Sequence, residues 1–313
     1  MIKIFKTTED SFSQVNEIED GCWVAMTDPT ASEVIEISKN YGIDVDDLRS
    51  PLDEEERSRI EVEDKYTLIL VDIPTVEEAN DKDTYATIPL AIILTDKLIF
   101  TVCLIETPVL TAFMDGRVRN FFTFKKTRFI LQILYRNATM YLHYLRIIDK
   151  KSEVVEQKLH AAQKNSELIE LLELEKSLVY FTTSLRSNEV VLEKLLRSES
   201  IKKYPEDTDL LEDVIIENKQ AIEMANIYTN ILSSTMGTFA SVISNNVNVV
   251  MKVLATVTIV LSIPTMIFSA YGMIVNVAGM PLAGSVWGFA AVIGVTVLIT
   301  LLIALVLSKK DLF

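Results

Sequence analysis

Residues 244 to 273 read SNNVNVVMKVLATVTIVLSIPTMIFSAYGM. After Lys252, no charged residue or histidine occurs until Lys309. An uncharged run of that length is no soluble core, because a soluble helix needs a wet polar face. It suffices for two passes through a hydrocarbon layer roughly 30 Å thick, at about 20 residues each. The first span is predicted at about 249–270 and the second at about 286–307. Pro264 falls inside the first span, where neighbouring helices can satisfy the carbonyl it frees.

Steps of three and four along the first span pick out Met251, Ala255, Thr258, Ser262, Thr265, Ser269 and Gly272, with Asn248 extending the row. In a helix these positions share one face. The remaining positions are mainly Val, Leu, Ile, Met and Phe. Small and hydroxyl-bearing side chains suit close helix–helix contact. They suit the wall of a wet path equally well. Two helices from one chain cannot enclose such a path, so a pore requires several copies around an axis.

Lys252 precedes the first span, Lys309 and Lys310 follow the second, and the loop between them carries no charge. The positive-inside bias therefore places both termini in the cytoplasm and the loop outside. Gly284 and Gly288 form a GxxxG spacing at the start of the second span, with Gly294 further on. This pattern permits close helix approach.

The rest of the 313-residue chain is charged, and the net charge is −14. That balance argues against nucleic-acid binding, which needs a basic footprint. It suits attraction of cations, and it suits solubility alone equally well. The opening MIKIFKTTED lacks the apolar core of a signal peptide. Cys22 and Cys103 have no metal or redox spacing, and Cys103 is expected to be a buried thiol. His143 and His160 are read as surface or packing residues. No phosphate loop, nucleophile elbow or HExxH occurs, so the chain is not expected to be an enzyme, and no cofactor is called for.

Residues 1–117 are predicted to form a cytoplasmic α/β domain. GCWVAMTDP, YTLILVDIP, YATIPLAIILTD and KLIFTVCLIE read as strands. TASEVIEISKNYG reads as a helix, with Thr30 as N-cap, Glu33 at capping-box spacing and Gly42 at its stop. DEEERSRIEVEDK reads as a charged connection. Residues 118–204 read as two antiparallel helices, ended by Pro205. Residues 205–270 read as a stalk helix, starting near Thr208, that continues into the first span. At 1.5 Å per residue a helix from there to Ala270 would be about 90 Å long. The external loop takes 271–285, the second span 286–307 and a basic tail 308–313.

The landmarks of residues 244–273, namely the asparagine, Val-Met-Lys, Pro-Thr and Tyr-Gly-Met in that order, resemble the first membrane helix of the CorA-type magnesium channels. DEEERSRIEVEDKYTLILVDIP and LLELEKSLVYFTTSLRSNEVVLEKLL are similar to the branch of that family found in Gram-positive bacteria. The resemblance implies an α+β cytoplasmic domain, long helices and two C-terminal transmembrane helices per chain, assembled as a homopentameric funnel in a bacterial cell membrane. It implies a passive divalent-cation channel, mainly for Mg2+, with Mg2+ as both permeant and regulatory ion. Asn248, Met251, Leu254, Thr258, Ser262, Thr265, Gly272 and Met273 would fall on the pore or its mouth, with Asn248, Met251 and Leu254 forming a narrow cytoplasmic gate.

One departure stands at that mouth, here made of Tyr271, Gly272, Met273, Ile274 and Asn276. The family signature is Gly-Met-Asn, and this chain has Gly272-Met273-Ile274. Neutral amide oxygens can hold the water shell of Mg2+, which dehydrates reluctantly. Isoleucine cannot. Either Ile274 impairs entry or alters selectivity, or Asn276 takes over in a shifted loop, or the scaffold serves another purpose. The alternatives are therefore a membrane-anchored oligomeric scaffold or regulator with little conduction, and a zinc transporter on the same plan.

Members of this family close when intracellular Mg2+ bridges carboxylates between subunits. Here Asp209, Asp213 and Glu217 recur at i, i+4 and i+8 on one helical face, thickened by Glu206, Asp207 and Glu212. Hard divalent ions want several such oxygens. A solvated acidic face near a helix N-terminus would look the same. LDEEER at 52–57 is a second acidic stretch.

Overall fold

The computed structural model describes residues 1–8, 12–79, 82–162, 165–197, 205–273, 281–282 and 285–309. They fall into two compact units, Met1–Met236 and Gly237–Phe313.

The first unit is built on one sheet of β1 (Ile2–Thr7), β2 (Phe12–Val15), β3 (Trp23–Thr27), β4 (Arg59–Val62), β5 (Tyr66–Ala79), β6 (Lys82–Thr95) and β7 (Ile99–Cys103), in the order β2-β1-β3-β7-β6-β5-β4. β3 and β7 are parallel, and every other neighbouring pair is antiparallel. The turn from β6 to β7 is formed around Thr95-Asp96-Lys97. Thr95 N–H donates to Leu98 O at 3.0 Å, and Leu98 N–H donates to Thr95 Oγ1 at 3.0 Å. Lys126 Nζ closes it from outside by donating to Thr95 O at 2.8 Å.

Helices cover both faces of the sheet, which is why its central strands read as unbroken apolar runs rather than alternating ones. On one side lie α1 (Ala31–Tyr41) and α2 (Val45–Arg49), whose Val34, Ile37 and Leu48 bury against Leu68, Leu70 and Phe100. The capping box on α1 is present: Thr30 Oγ1 accepts from Glu33 N–H, and the Glu33 carboxylate accepts from Thr30 N–H at 2.7 Å. Gly42 ends this helix at φ 68°, in the left-handed region that favours glycine. On the other side lie α3 (Pro108–Met114), α4 (Lys126–Ala162) and α5 (Asn165–Arg197). There Trp23 is fully buried among Phe5, Phe113, Phe121 and Phe129. Its indole N–H is satisfied by Thr101 Oγ1 at 2.9 Å. Cys22 and Cys103 are both buried, and burial pushes the Cys103 thiol up to about 11.

Three expectations change. The charged stretch at 53–65 is not only a connection, because Arg59–Val62 forms the edge strand β4. Its charge suits an edge, and Arg59 is held between Glu56 and Glu61. The opening residues supply β1 and β2, read from sequence only as lacking a leader; the alternation in IKIFK was the available signal. Pro205 does not merely end the preceding segment but starts the next helix, where a missing N–H costs nothing.

That helix, α6 (Pro205–Tyr271), runs for 67 residues without interruption, ~100 Å at 1.5 Å per residue. Leu211 and Val214 pack with Val191, Leu192 and Leu195 of α5. Asn218, buried, donates through Nδ2 to Leu185 O at 3.1 Å. The second unit contains the remainder of α6 and α7 (Gly288–Lys309).

Candidate functional site

Among the described residues, two helices are long and apolar enough to cross a membrane, α6 and α7. Within the second unit their least exposed residues are Thr256 at 3% and Thr296 at 2%. Val260, Ile263, Pro264 and Ile267 continue the half-buried side of α6, and Ala291, Val292 and Ile293 that of α7. Near the loop, Phe268, Tyr271 and Gly272 of α6 line a cleft of about 540 Å³ together with Gly288, Phe289 and Val292 of α7. This side of α6 is thus its least exposed one, and at the loop end α6 meets α7 across the cleft.

The polar stripe lies on the other side. Thr258 is two residues from Thr256, ~200° around the helix at 3.6 residues per turn. Asn248, Met251, Leu254, Thr258, Thr265 and Ser269 are exposed within the chain, and Ser262 is half-buried. Met251 and Leu254 are each 58% exposed, although both are apolar. The hydroxyls point their protons at their own helix: Thr258 Oγ1 donates to Leu254 O at 2.8 Å, Ser262 Oγ to Ile259 O at 2.8 Å and Thr265 Oγ1 to Leu261 O at 2.9 Å. Each hydroxyl oxygen keeps its lone pairs facing outward. A ring of such oxygens accepts hydrogen bonds from water, including the water around a cation. Of the stripe residues, Gly272 lines the cleft shared with α7.

At the mouth, Gly272 N–H donates to Phe268 O at 2.9 Å and to Ser269 O at 3.2 Å, closing the last turn of α6. Tyr271 Oη donates to Pro281 O at 3.1 Å. Met273 is 60% exposed. Ile274 and Asn276, on which the signature question turns, lie outside the described residues, as does Gly284 of the GxxxG spacing. Gly288 is described and has its own reason to be glycine: a Cβ there would meet the Leu282 carbonyl oxygen at 2.1 Å. Gly294 faces open space.

The sensor candidates lie on the exposed side of α6 in the first unit. Asp209 and Asp213 are exposed and Glu217 is half-buried, on the side away from the buried Leu211, Val214 and Asn218. Among the described residues of one chain, no three acidic, histidine or cysteine side chains gather as a metal site. Asp207 stands apart from the other three: it is 6% exposed and lies 3.5 Å from Arg128. Sequence reasoning also passed over Asp72, a half-buried residue of β5 whose backbone is bonded by side chains of α4 and α5. No motif marks it; the only signal was a single acidic residue inside an apolar strand run.

The family model for CorA-like Mg2+ transporter protein matches residues 19–310. The cobalt/magnesium transport protein CorA of Methanocaldococcus jannaschii is 30% identical over 297 residues, covering 92% of this chain and 90% of its own. The protein of the same name from Thermotoga maritima is 22% identical over 314 residues, covering 98% of this chain and 88% of its own. Among solved structures, the complete CorA magnesium transporter of Methanocaldococcus jannaschii superposes with a TM-score of 0.86 at 26% identity, over 100% of this chain and 99% of that one.

Proposed function

The chain belongs to the CorA-like Mg2+ transporter family, and on that premise we propose that it is a passive channel for hydrated divalent cations, chiefly Mg2+, formed by five copies. The observation that carries this reading is the polar stripe of α6, exposed within one chain and opposite the least exposed side of that helix. Several copies turning that stripe toward a common axis make a continuous wet wall, with α7 left to face lipid. Met251 and Leu254 then form apolar rings at the cytoplasmic end, where a narrow hydrophobic constriction gates by dewetting.

No chemical step is needed. A divalent ion gains about 4.6 kcal/mol for each 100 mV on entering a negative interior, twice the unit-charge figure. Lys252 and Lys309 flank the spans, and the charge bias puts both termini in the cytoplasm of a cell membrane. Asp209, Asp213 and Glu217 are suited to ion sensing only if a neighbouring copy supplies further oxygens, since the described residues of one chain do not assemble a ligand set.

The test is Mg2+ uptake into proteoliposomes under an imposed negative-inside potential. Uptake that depends on the potential and is blocked by bulky apolar side chains at Thr258 and Thr265 supports the channel. Absence of uptake supports the second reading, an oligomeric scaffold, which Ile274 motivates. Ile274→Asn separates the two: a gain in uptake assigns the low conduction to the mouth, whereas no gain in a non-conducting protein favours the scaffold.

A further inference from the structure

α5 and the first part of α6 bury residues at a seven-residue repeat. On α5, Leu171, Leu178, Leu185 and Leu192 are all buried, each seven residues after the last. On α6, Asp207, Leu211, Val214, Asn218, Ala221 and Ala225 are buried at alternating steps of four and three. Such rows are the seams of helices that wind round one another. The two helices run antiparallel: Leu211 and Val214 pack with Val191, Leu192 and Leu195, Asn218 bonds to Leu185, and Ser233 Oγ donates to Glu175 Oε1. α6 is also the helix that carries the polar stripe towards its far end.

A seam of this kind has a weakness. The row on α5 offers a leucine again after every seven residues. Burial of apolar surface therefore scarcely distinguishes one register from another displaced by about 10.5 Å, one repeat at 1.5 Å per residue. The connection does not decide it either. Seven residues, 198–204, lie between Arg197 and Pro205, and an extended chain of that length reaches about 23–25 Å.

The polar members of the row on α6 decide it. Asn218 is 3% exposed, and its Nδ2 donates to Leu185 O at 3.1 Å across the seam. Asp207 is 6% exposed, and Arg128 of α4 lies 3.5 Å from its carboxylate. The two are about three turns apart and so share one face of the helix. Displacing α6 by one repeat takes the amide away from Leu185 O and the carboxylate away from Arg128. A buried polar group left without its partner is costly, whereas a leucine at either place would be indifferent to the shift. A single polar residue in an apolar seam fixes register in this way and lowers stability in doing so.

We propose that Asn218, aided by Asp207, is a register pin: it sets the axial position of α6 against α5, holding one alignment of an otherwise repeating seam while lowering the stability of that seam. This stands independently of whether the protein conducts.

The test is cross-linking of the full-length protein, whose native Cys22 and Cys103 are buried. It uses a short bifunctional thiol reagent, with links inside one chain told from links between copies by mass. Glu175→Cys with Ser233→Cys reports the present register. Leu168→Cys and Thr182→Cys, each with Ser233→Cys, report registers displaced by seven residues either way. With Asn218 in place, only the first pair should link. Asn218→Leu should lower that link by about fivefold or more and bring up a displaced pair, while the denaturant midpoint of the first unit stays or rises. Adding Asp207→Leu should enlarge the change. A merely structural Asn218 predicts the reverse, a lower midpoint with the first pair still the only one linked. That result, or an Asn218→Leu protein that keeps both its midpoint and its register, overturns the pin.

Discussion

The two units handle polar groups in opposite ways. In the first, a buried polar side chain meets a partner from a distant part of the same chain: Trp23 with Thr101, Asn218 with Leu185, Asn188 with Asp72. In the second, the hydroxyls of Thr258, Ser262 and Thr265 bond back to the preceding turn of their own helix and leave their outer side open. Apolar side chains divide likewise, with the sheet core nearly all inside and the apolar windows of α6 and α7 only 6% and 11% buried. One unit is finished by its own sequence. The other leaves its apolar side chains exposed within a single chain.

The largest contrast should come from paired truncations. Trp23→Ala removes the centre of the aromatic cluster and should cost about 3–5 kcal/mol in the denaturant transition of the first unit, followed by far-ultraviolet dichroism. Leu305→Ala, at a side chain 64% exposed in the second unit, should move the same transition by less than about 0.5 kcal/mol. Equal losses would mean that α7 is packed as a soluble core is. Next in size, Thr258→Leu and Thr265→Leu should each cut Mg2+ uptake by about tenfold or more, by making a wet ring apolar, without moving either unfolding transition. A fall in stability matching the fall in uptake would return the stripe to a packing role.

Smaller effects sharpen the other side. Thr30→Ala opens the capping box on α1 and should cost about 1 kcal/mol, read as a lower denaturant midpoint. Cys22 and Cys103 should resist a thiol reagent in the folded protein and react only on unfolding, because both are buried and the Cys103 thiol is held up at about 11. Fast labelling of either in the native state would contradict the description of the core.

What could be read in advance followed from local physics. Thr30, Glu33 and Gly42 mark α1, since capping is a matter of a few adjacent residues. The uncharged run after Lys252 marks the spans, and its three–four spacing marks the stripe, because a helix in lipid has only periodicity to express. β4 was missed because its charges, sensible on an edge, look like loop composition. Asp72 was missed for a deeper reason: its backbone partners come from residues 137, 141 and 188, and no spacing along the chain brings those together. The choice between pore and helix contact for the stripe turns on how copies of the chain assemble, which no spacing along the chain expresses.

The most direct measurement places single cysteines along α6 in a chain whose native thiols are buried, then applies a membrane-impermeant cationic thiol reagent during Mg2+ uptake. If the polar stripe lines the ion path, Thr258→Cys and Thr265→Cys are modified and uptake stops, while Val260→Cys and Ile267→Cys, on the least exposed side of α6, are untouched. Modification and block at Val260→Cys and Ile267→Cys, with Thr258→Cys and Thr265→Cys inert, would contradict the account.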